Sequence, residues 1–137
     1  MYLVDTNVWL ERLLDQERSE EVGNFLAQMP AAELAMTDFT LHFLGIILTR
    51  LGQADALLRF VDDVFVDGGV TLVSVRPDSL RHDVDAMPRF SLDFDDAYQY
   101  VAAQQAGATV IRLDADFDRT DRRRRTPGEA MGGSGSA

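Results

Sequence analysis

The chain has 137 residues, 23 acidic and 13 basic, and a formal net charge of −10 at pH 7. This length fits one domain, which can bury roughly two thirds of the surface that its unfolded chain exposes. The chain has no cysteine and no lysine, which excludes disulfides, thiolate metal sites, a P-loop, a receiver domain and a haloacid-dehalogenase-type phosphatase.

Four short apolar runs predict buried strands, and the segments between them have the apolar spacing of helices. The predicted strands are residues 1–4, 34–36, 70–75 and 109–112, the run at 70–75 being the clearest interior strand. The predicted helices are residues 8–14, 19–28, 39–51, 54–66 and 78–87, and one that begins at Ser91 or Asp93 and ends at Gly107. This alternation predicts an α/β fold of three layers, with a central parallel sheet of four to five strands between helices.

The end of the chain differs in composition from the rest. Residues 122–125 are four arginines, and the chain ends in GGSGSA, a composition that does not support packing. We therefore expect one domain at residues 1–121 and a flexible tail at residues 122–137. The arginine run would either contact the phosphate backbone of a nucleic acid or a protein partner, or lie in solvent.

No feature indicates export or membrane insertion. The amino-terminal stretch lacks a basic leader and reaches Asp5 too early for a signal peptide. No apolar run approaches the roughly 20 residues of a membrane span. We expect a cytoplasmic protein that makes no membrane contact.

Four aspartates are placed where a metal site would form. Asp5, Asp114 and Asp116 follow predicted strands, and Asp96 opens the helix that precedes the last strand. Taken singly, each has an ordinary explanation as a helix cap or a turn former. If the first and last strands are neighbours, however, all four converge. Carboxylates about 4 Å apart repel by roughly 4 kcal/mol at an effective dielectric constant near 20, so the cluster needs a compensating cation, and all-oxygen ligands favour Mg²⁺ or Mn²⁺.

The residues then resemble a known family. The opening MYLVDTNVWL and the segment DDAYQYVAAQQAGATVIRLDADF at 95–117 are similar to the PIN domain, and within it to the VapC-type ribonuclease toxins. The resemblance implies a PIN-like fold, a metal-dependent endoribonuclease activity on RNA, an antitoxin partner and a homodimer. It places the catalytic, metal-binding aspartates on Asp5, Asp96, Asp114 and Asp116.

The chain departs from the family pattern at one metal ligand. The family has a glutamate about five residues beyond a Ser or Thr on the helix after the second strand, and counting from Thr37 reaches His42. Asp38 lies one turn before His42, so either side chain would be able to replace the glutamate. Imidazole would favour Mn²⁺. Alternatively, His42 packs against neighbouring helices and the site keeps only four acids.

Three polar residues are further candidates for contact with the substrate. Thr6 and Asn7 follow Asp5, and Arg112 stands where many relatives have Thr or Ser. The Arg112 guanidinium would pair with the aspartates, meet the scissile phosphate or point to solvent.

Two other functions compete with a ribonuclease. The missing glutamate and the low basicity are compatible with a PIN-fold protein that binds RNA or a partner but cleaves weakly or not at all. A DNA-directed nuclease related to structure-specific 5′ nucleases is disfavoured because those proteins carry long insertions and more basic surfaces.

Overall fold

The computed structural model describes residues 1–114 and 120–136, and within them four strands form a single parallel sheet. The strands are β1 (Tyr2–Val4), β2 (Leu34–Thr37), β3 (Thr71–Val73) and β4 (Thr109–Ile111). The helices are α1 (Thr6–Leu13), α2 (Ser19–Gln28), α3 (Asp38–Arg50), α4 (Ala54–Val61), α5 (Leu80–Phe90), α6 (Phe94–Ala106) and α7 (Pro127–Ser136). None of these helices is long and apolar enough to cross a bilayer.

The strand order is β3-β2-β1-β4, so β1 and β4, the first and last strands along the chain, are neighbours in the sheet. Leu3 is paired with Val110 and Val4 with Ile111 in parallel register. The pairing extends one residue further, because the Asp5 amide donates to the Ile111 carbonyl at 3.0 Å. The expected contact between these two strand ends is therefore confirmed.

Successive strand residues pack on opposite faces of the sheet, as the period of two requires. Leu3 and Val110 face the cluster built by α5 and α6. Val4 and Ile111 face the cluster that contains residues of α1 to α4 and α7. The three-layer α/β/α architecture and the parallel sheet are thus as predicted.

Two elements differ from the prediction. β3 pairs with β2 alone among the described strands, so residues 70–75 do not form an interior strand. The run is apolar because Val70 and Val75, on either side of β3, are buried, whereas Leu72 is exposed. The helix expected over 54–66 ends at Val61 and continues as a π-helical turn, Asp62–Val66.

Residues 120–132 are also more structured than the flexible tail that we expected. Arg125 forms a parallel bridge with Ile111 of β4. Helix α7 packs on α2, where the Gly128 amide donates to Glu21 at 2.8 Å. The physical reason is a capping box: the Glu129 amide donates to Thr126 Oγ1 and the Thr126 amide to Glu129. The domain boundary at residue 121 stays a prediction.

Asp83 is a buried acid on α5. It lies in the first turn of α5 with no exposed surface, and neither carboxylate oxygen has a hydrogen-bond partner among the described residues. Loss of hydration raises the pKa of Asp83 to about 6, against the opposing charge of His82.

We predict that Asp83 makes the protein less stable as the pH rises through 6. The folded state holds the proton more tightly than the unfolded state, so the contribution of Asp83 is fully present below pH 4 and is lost above pH 6. Asp83→Asn should raise the free energy of unfolding by about 1–3 kcal/mol at pH 8 and change it less at pH 5. Urea unfolding at both values measures this. Asp85→Asn, exposed on the same helix, is the control, and an equal effect at both positions would contradict the prediction.

Candidate active site

Three of the four predicted aspartates meet at the carboxyl ends of β1 and β4. Asp5 follows β1, Asp114 lies just beyond β4, and Asp96 is in the first turn of α6. Asp93 caps α6 by accepting from the Asp96 amide at 2.9 Å, which leaves the Asp96 side chain available. Asp5 occupies the N-cap position of α1 but makes no side-chain cap to the helix. Helix capping therefore does not account for either Asp5 or Asp96.

The Arg112 guanidinium lies between these three carboxylates. Its Nη1 donates to Asp96 at 2.9 Å, its Nη2 donates to Asp114 at 3.0 Å, and its Nε is 3.7 Å from Asp5. The residue is only 3% exposed. Each carboxylate meets a different nitrogen of one planar group, so the acids are spread around the guanidinium.

Burial and charge act in opposite directions on the pKa values of this cluster. Loss of hydration raises the pKa of Asp5 and of Asp96, and the nearby Arg112 charge partly reverses both shifts. Burial disfavours the charged form of Arg112, but the three carboxylates outweigh this and raise its pKa. Arg112 is therefore a permanent cation, and it neutralises only one of the three negative charges.

A buried polar network supports Asp5 from behind. Gln99 Nε2 donates to Asp5 at 3.1 Å and to Thr40 Oγ1 at 2.7 Å. Thr40 Oγ1 also accepts from Thr37 at 3.2 Å and lies 2.8 Å from Thr6 Oγ1. With both acceptor positions of Thr40 used, its own proton goes to Thr6. The network holds the Asp5 carboxylate in one orientation.

The oxygen atoms of this cluster are suitable ligands for a hard divalent cation. The three acids carry two negative charges in excess of Arg112, and Gln99 Oε1 is buried with no hydrogen-bond partner in the described part of the chain. Carboxylate and amide oxygens are the ligands that Mg²⁺ and Mn²⁺ accept. Among the described residues there is nevertheless no group of three or more metal-ligating side chains arranged around one point. The three carboxylates instead surround the Arg112 guanidinium.

The cluster opens into a cavity of about 100 Å³. The acidic cluster contributes Asp5, Asp96 and Arg112 to its lining, and α3 contributes two aromatic rings. The lining residues are Asp5, Thr6, Asn7, Phe39, Phe43, Asp95, Asp96, Gln99 and Arg112. Of the predicted substrate contacts, Thr6 is mainly part of the buried network, whereas Asn7 is exposed.

The two candidates for the missing ligand lie elsewhere. Asp38 accepts from the Tyr98 hydroxyl at 2.7 Å and from the Phe39 amide at 2.9 Å. His42 is exposed, and both residues line a neighbouring groove. The α3 side chains that line the cavity are Phe39 and Phe43, the latter one residue beyond His42. Asp116 lies outside the described residues, so its role as a ligand stays a prediction.

Sequence reasoning missed several residues of this site. Gln99 and Thr40 were overlooked because a neutral polar residue in an apolar helix carries no charge pattern. Phe43 was overlooked because an aromatic residue at helical spacing is usually core. Asp95 also lines the cavity, but only its neighbour Asp96 was singled out from the sequence.

The arginine run at residues 122–125 was expected either to contact a nucleic acid or a protein partner, or to lie in solvent. In the structure it makes local contacts, for example from the Arg122 guanidinium to the Ala108 carbonyl at 2.8 Å.

The fold and the site together define a class of protein: an α/β domain with an acidic cluster at the carboxyl ends of its parallel strands. The sequence matches the model of the PIN domain family over residues 2–123. The chain belongs to the PIN domain family. A comparison with curated proteins gives no significant match.

Three solved structures share this fold. Mycobacterium tuberculosis VapC20, a sarcin-ricin loop cleaving toxin, is 17% identical with a TM-score of 0.77, covering 93% of this chain and 100% of that one. A toxin-antitoxin complex from Klebsiella pneumoniae is 20% identical with a TM-score of 0.74, covering 93% and 98%. FitAcB from Neisseria gonorrhoeae is 19% identical with a TM-score of 0.71, covering 93% and 98%. At these identities the similarity establishes a VapC-like fold.

We predict that Arg112→Met lowers the free energy of unfolding by about 3–5 kcal/mol at pH 8, because it leaves three carboxylates without their cation. The loss should shrink at pH 4, where protonation of Asp5 and Asp96 removes their repulsion. Urea unfolding in EDTA measures both values.

Arg76→Met is the matched control, since its ion pair with Asp78 is exposed and contributes at most about 1 kcal/mol. Equal losses in the two variants would show that Arg112 does not hold the cluster together.

Proposed function

We propose that the protein is a metal-dependent endoribonuclease that hydrolyses RNA phosphodiester bonds and acts in the cytoplasm as the toxin of a type II toxin-antitoxin pair. The observation that carries the proposal is the convergence of Asp5, Asp96 and Asp114 at one edge of a PIN-domain sheet. A net negative, oxygen-only cluster that opens into a cavity has the chemistry needed to bind divalent ions.

Asp5, Asp96 and Asp114 would hold one or two Mg²⁺ or Mn²⁺ ions, and Asp116 completes the set that the sequence predicts. A bound ion supplies hydroxide at neutral pH and stabilises charge on the phosphate. Gln99 fixes the orientation of Asp5 through its amide hydrogen bond. Asn7 is exposed in the cavity and contacts the substrate, together with Thr6 at its inner edge.

Arg112 has two roles in this proposal. It balances part of the acidic charge before the ion binds, and it lines the cavity through which the substrate would enter. A guanidinium is suited to a phosphate because its planar donors match two oxygens at once. Arg112 would thus pass from the carboxylates to the scissile phosphate when the ion takes over their charge.

The known structures support the partners in the proposal. VapC20 is described as a sarcin-ricin loop cleaving toxin, and the Klebsiella pneumoniae structure is a toxin-antitoxin complex. By analogy, an RNA is the substrate here and a small antitoxin is the inhibitor. The homodimer is part of the proposal on the sequence resemblance alone.

Asp5→Asn and Asp96→Asn test the assignment. Each removes a charged ligand and should reduce RNA cleavage by a factor of about 10² or more, since a metal ligand positions the reacting groups. The measurement is cleavage of a labelled RNA with Mn²⁺ or Mg²⁺. Asp55→Asn, which removes an exposed carboxylate from α4, should cleave like wild type. Undiminished cleavage in both site variants would refute the assignment.

A second candidate function is a PIN-fold protein that binds RNA or a partner without efficient cleavage. The position of Arg112 favours it, because the guanidinium already compensates one of the three acidic charges. Calorimetric titration with Mn²⁺ separates the two functions. Micromolar binding that Asp96→Asn abolishes supports the enzyme, and no heat in either protein supports the binding role.

A further inference from the structure

Two aromatic rings of α3 line the same cavity as the carboxylates. Phe39 and Phe43 lie one turn apart on α3 and stack with ring centroids 6.0 Å apart and planes 25° apart. Phe43 is 38% exposed. Other side chains of the protein therefore cover only part of the Phe43 surface.

The two rings begin a longer aromatic row. Phe39 also contacts Tyr98, with centroids 6.1 Å apart, and Tyr98 contacts Phe94 at 6.3 Å. Phe94 is exposed, like Phe43. The row therefore has two open rings at its ends and two partly or fully buried rings between them, and it leads from the cavity into the neighbouring groove.

The middle of the row is rigid. The Tyr98 hydroxyl accepts from the Val75 amide at 2.9 Å and donates to Asp38 at 2.7 Å. Tyr98 thus fixes the ring against which Phe39 packs, and Phe39 in turn supports Phe43. A flat, preformed surface of this kind loses little entropy when another planar group stacks on it.

Charge does not favour phosphate contacts along this row. Of the described residues that line the cavity, Arg112 is the single cation, and it is engaged with three carboxylates. The described lining of the neighbouring groove adds only His42. A nucleic acid bound here would depend on its bases more than on its backbone.

We propose that Phe43 and Phe94, the exposed ends of a row of four rings that we term the aromatic row (Phe43, Phe39, Tyr98 and Phe94), stack on the unpaired bases of a single-stranded or looped RNA next to the scissile phosphate. Stacking on aromatic rings is how proteins hold unpaired bases, and the paired bases of a duplex have no free face to offer. The inference rests on the proposed ribonuclease function. It adds that the row positions the substrate and that binding is driven mainly by stacking.

The test uses a short single-stranded RNA with 2-aminopurine at one position, bound to the full chain in EDTA so that no cleavage occurs. Phe43→Ala should weaken binding by about 5- to 30-fold, the range expected for the loss of one base stack. It should also abolish the 2-aminopurine quenching. Phe43→Trp should restore both, and Phe43→Leu should not. The wild-type slope of log affinity against log salt should be no steeper than about −1.5, as for two phosphate contacts.

Ile46→Ala is the matched control, because Ile46 is an exposed apolar residue on the same helix outside the aromatic row. It should bind RNA within twofold of wild type. A duplex of the same sequence should bind weakly and equally to wild type and Phe43→Ala.

Three results would overturn the inference: no RNA binding by the wild type in EDTA, unchanged affinity in Phe43→Ala, or full binding by Phe43→Leu. Unchanged affinity together with a lower sedimentation mass in Phe43→Ala would assign the ring to a protein interface instead. Because binding is measured without metal, aromatic-dependent binding in a protein that never cleaves RNA would refute only the hydrolytic function.

Discussion

The meeting of three carboxylates with one guanidinium is the interaction on which the site depends. Asp5, Asp96 and Asp114 come from three different elements, and their mutual repulsion would push those elements apart without a cation. Arg112 supplies that cation at 3% exposure, from the residue directly after β4. The fold therefore brings the three acids together around an internal positive charge.

The cavity beside the acidic cluster is lined by two chemically different groups of side chains. The acids form ion pairs with Arg112, so little positive charge is left to attract a phosphate backbone. Helix α3 presents Phe39 and Phe43 to the same cavity, whereas Asp38 and His42, the two candidates for a replacement ligand, line the neighbouring groove. Packing against Tyr98 supports Phe39, which in turn stacks with Phe43.

Much of the fold was predictable from the chain itself. Apolar runs separated by helical patterns predicted the parallel three-layer fold, and Asp5, Asp96 and Asp114 could be identified because each follows a strand or opens a helix. The interior position of residues 70–75 was predicted wrongly, since an apolar run cannot distinguish a central strand from an edge strand with buried flanks. The helix at 127–136 escaped notice because its Gly/Ser composition masked the capping box at Thr126 and Glu129.

What the sequence determined by itself is the kind of site: oxygen ligands, no thiolate, no lysine, and acids at the ends of parallel strands. What only the tertiary structure decided is which side chains share the space around those acids. Arg112 had three possible environments in the sequence and one in the structure, because the β1–β4 pairing brings Asp5 to its guanidinium. His42 and Phe43 are adjacent in the chain, yet the 100° turn between successive helix residues directs only Phe43 into the cavity.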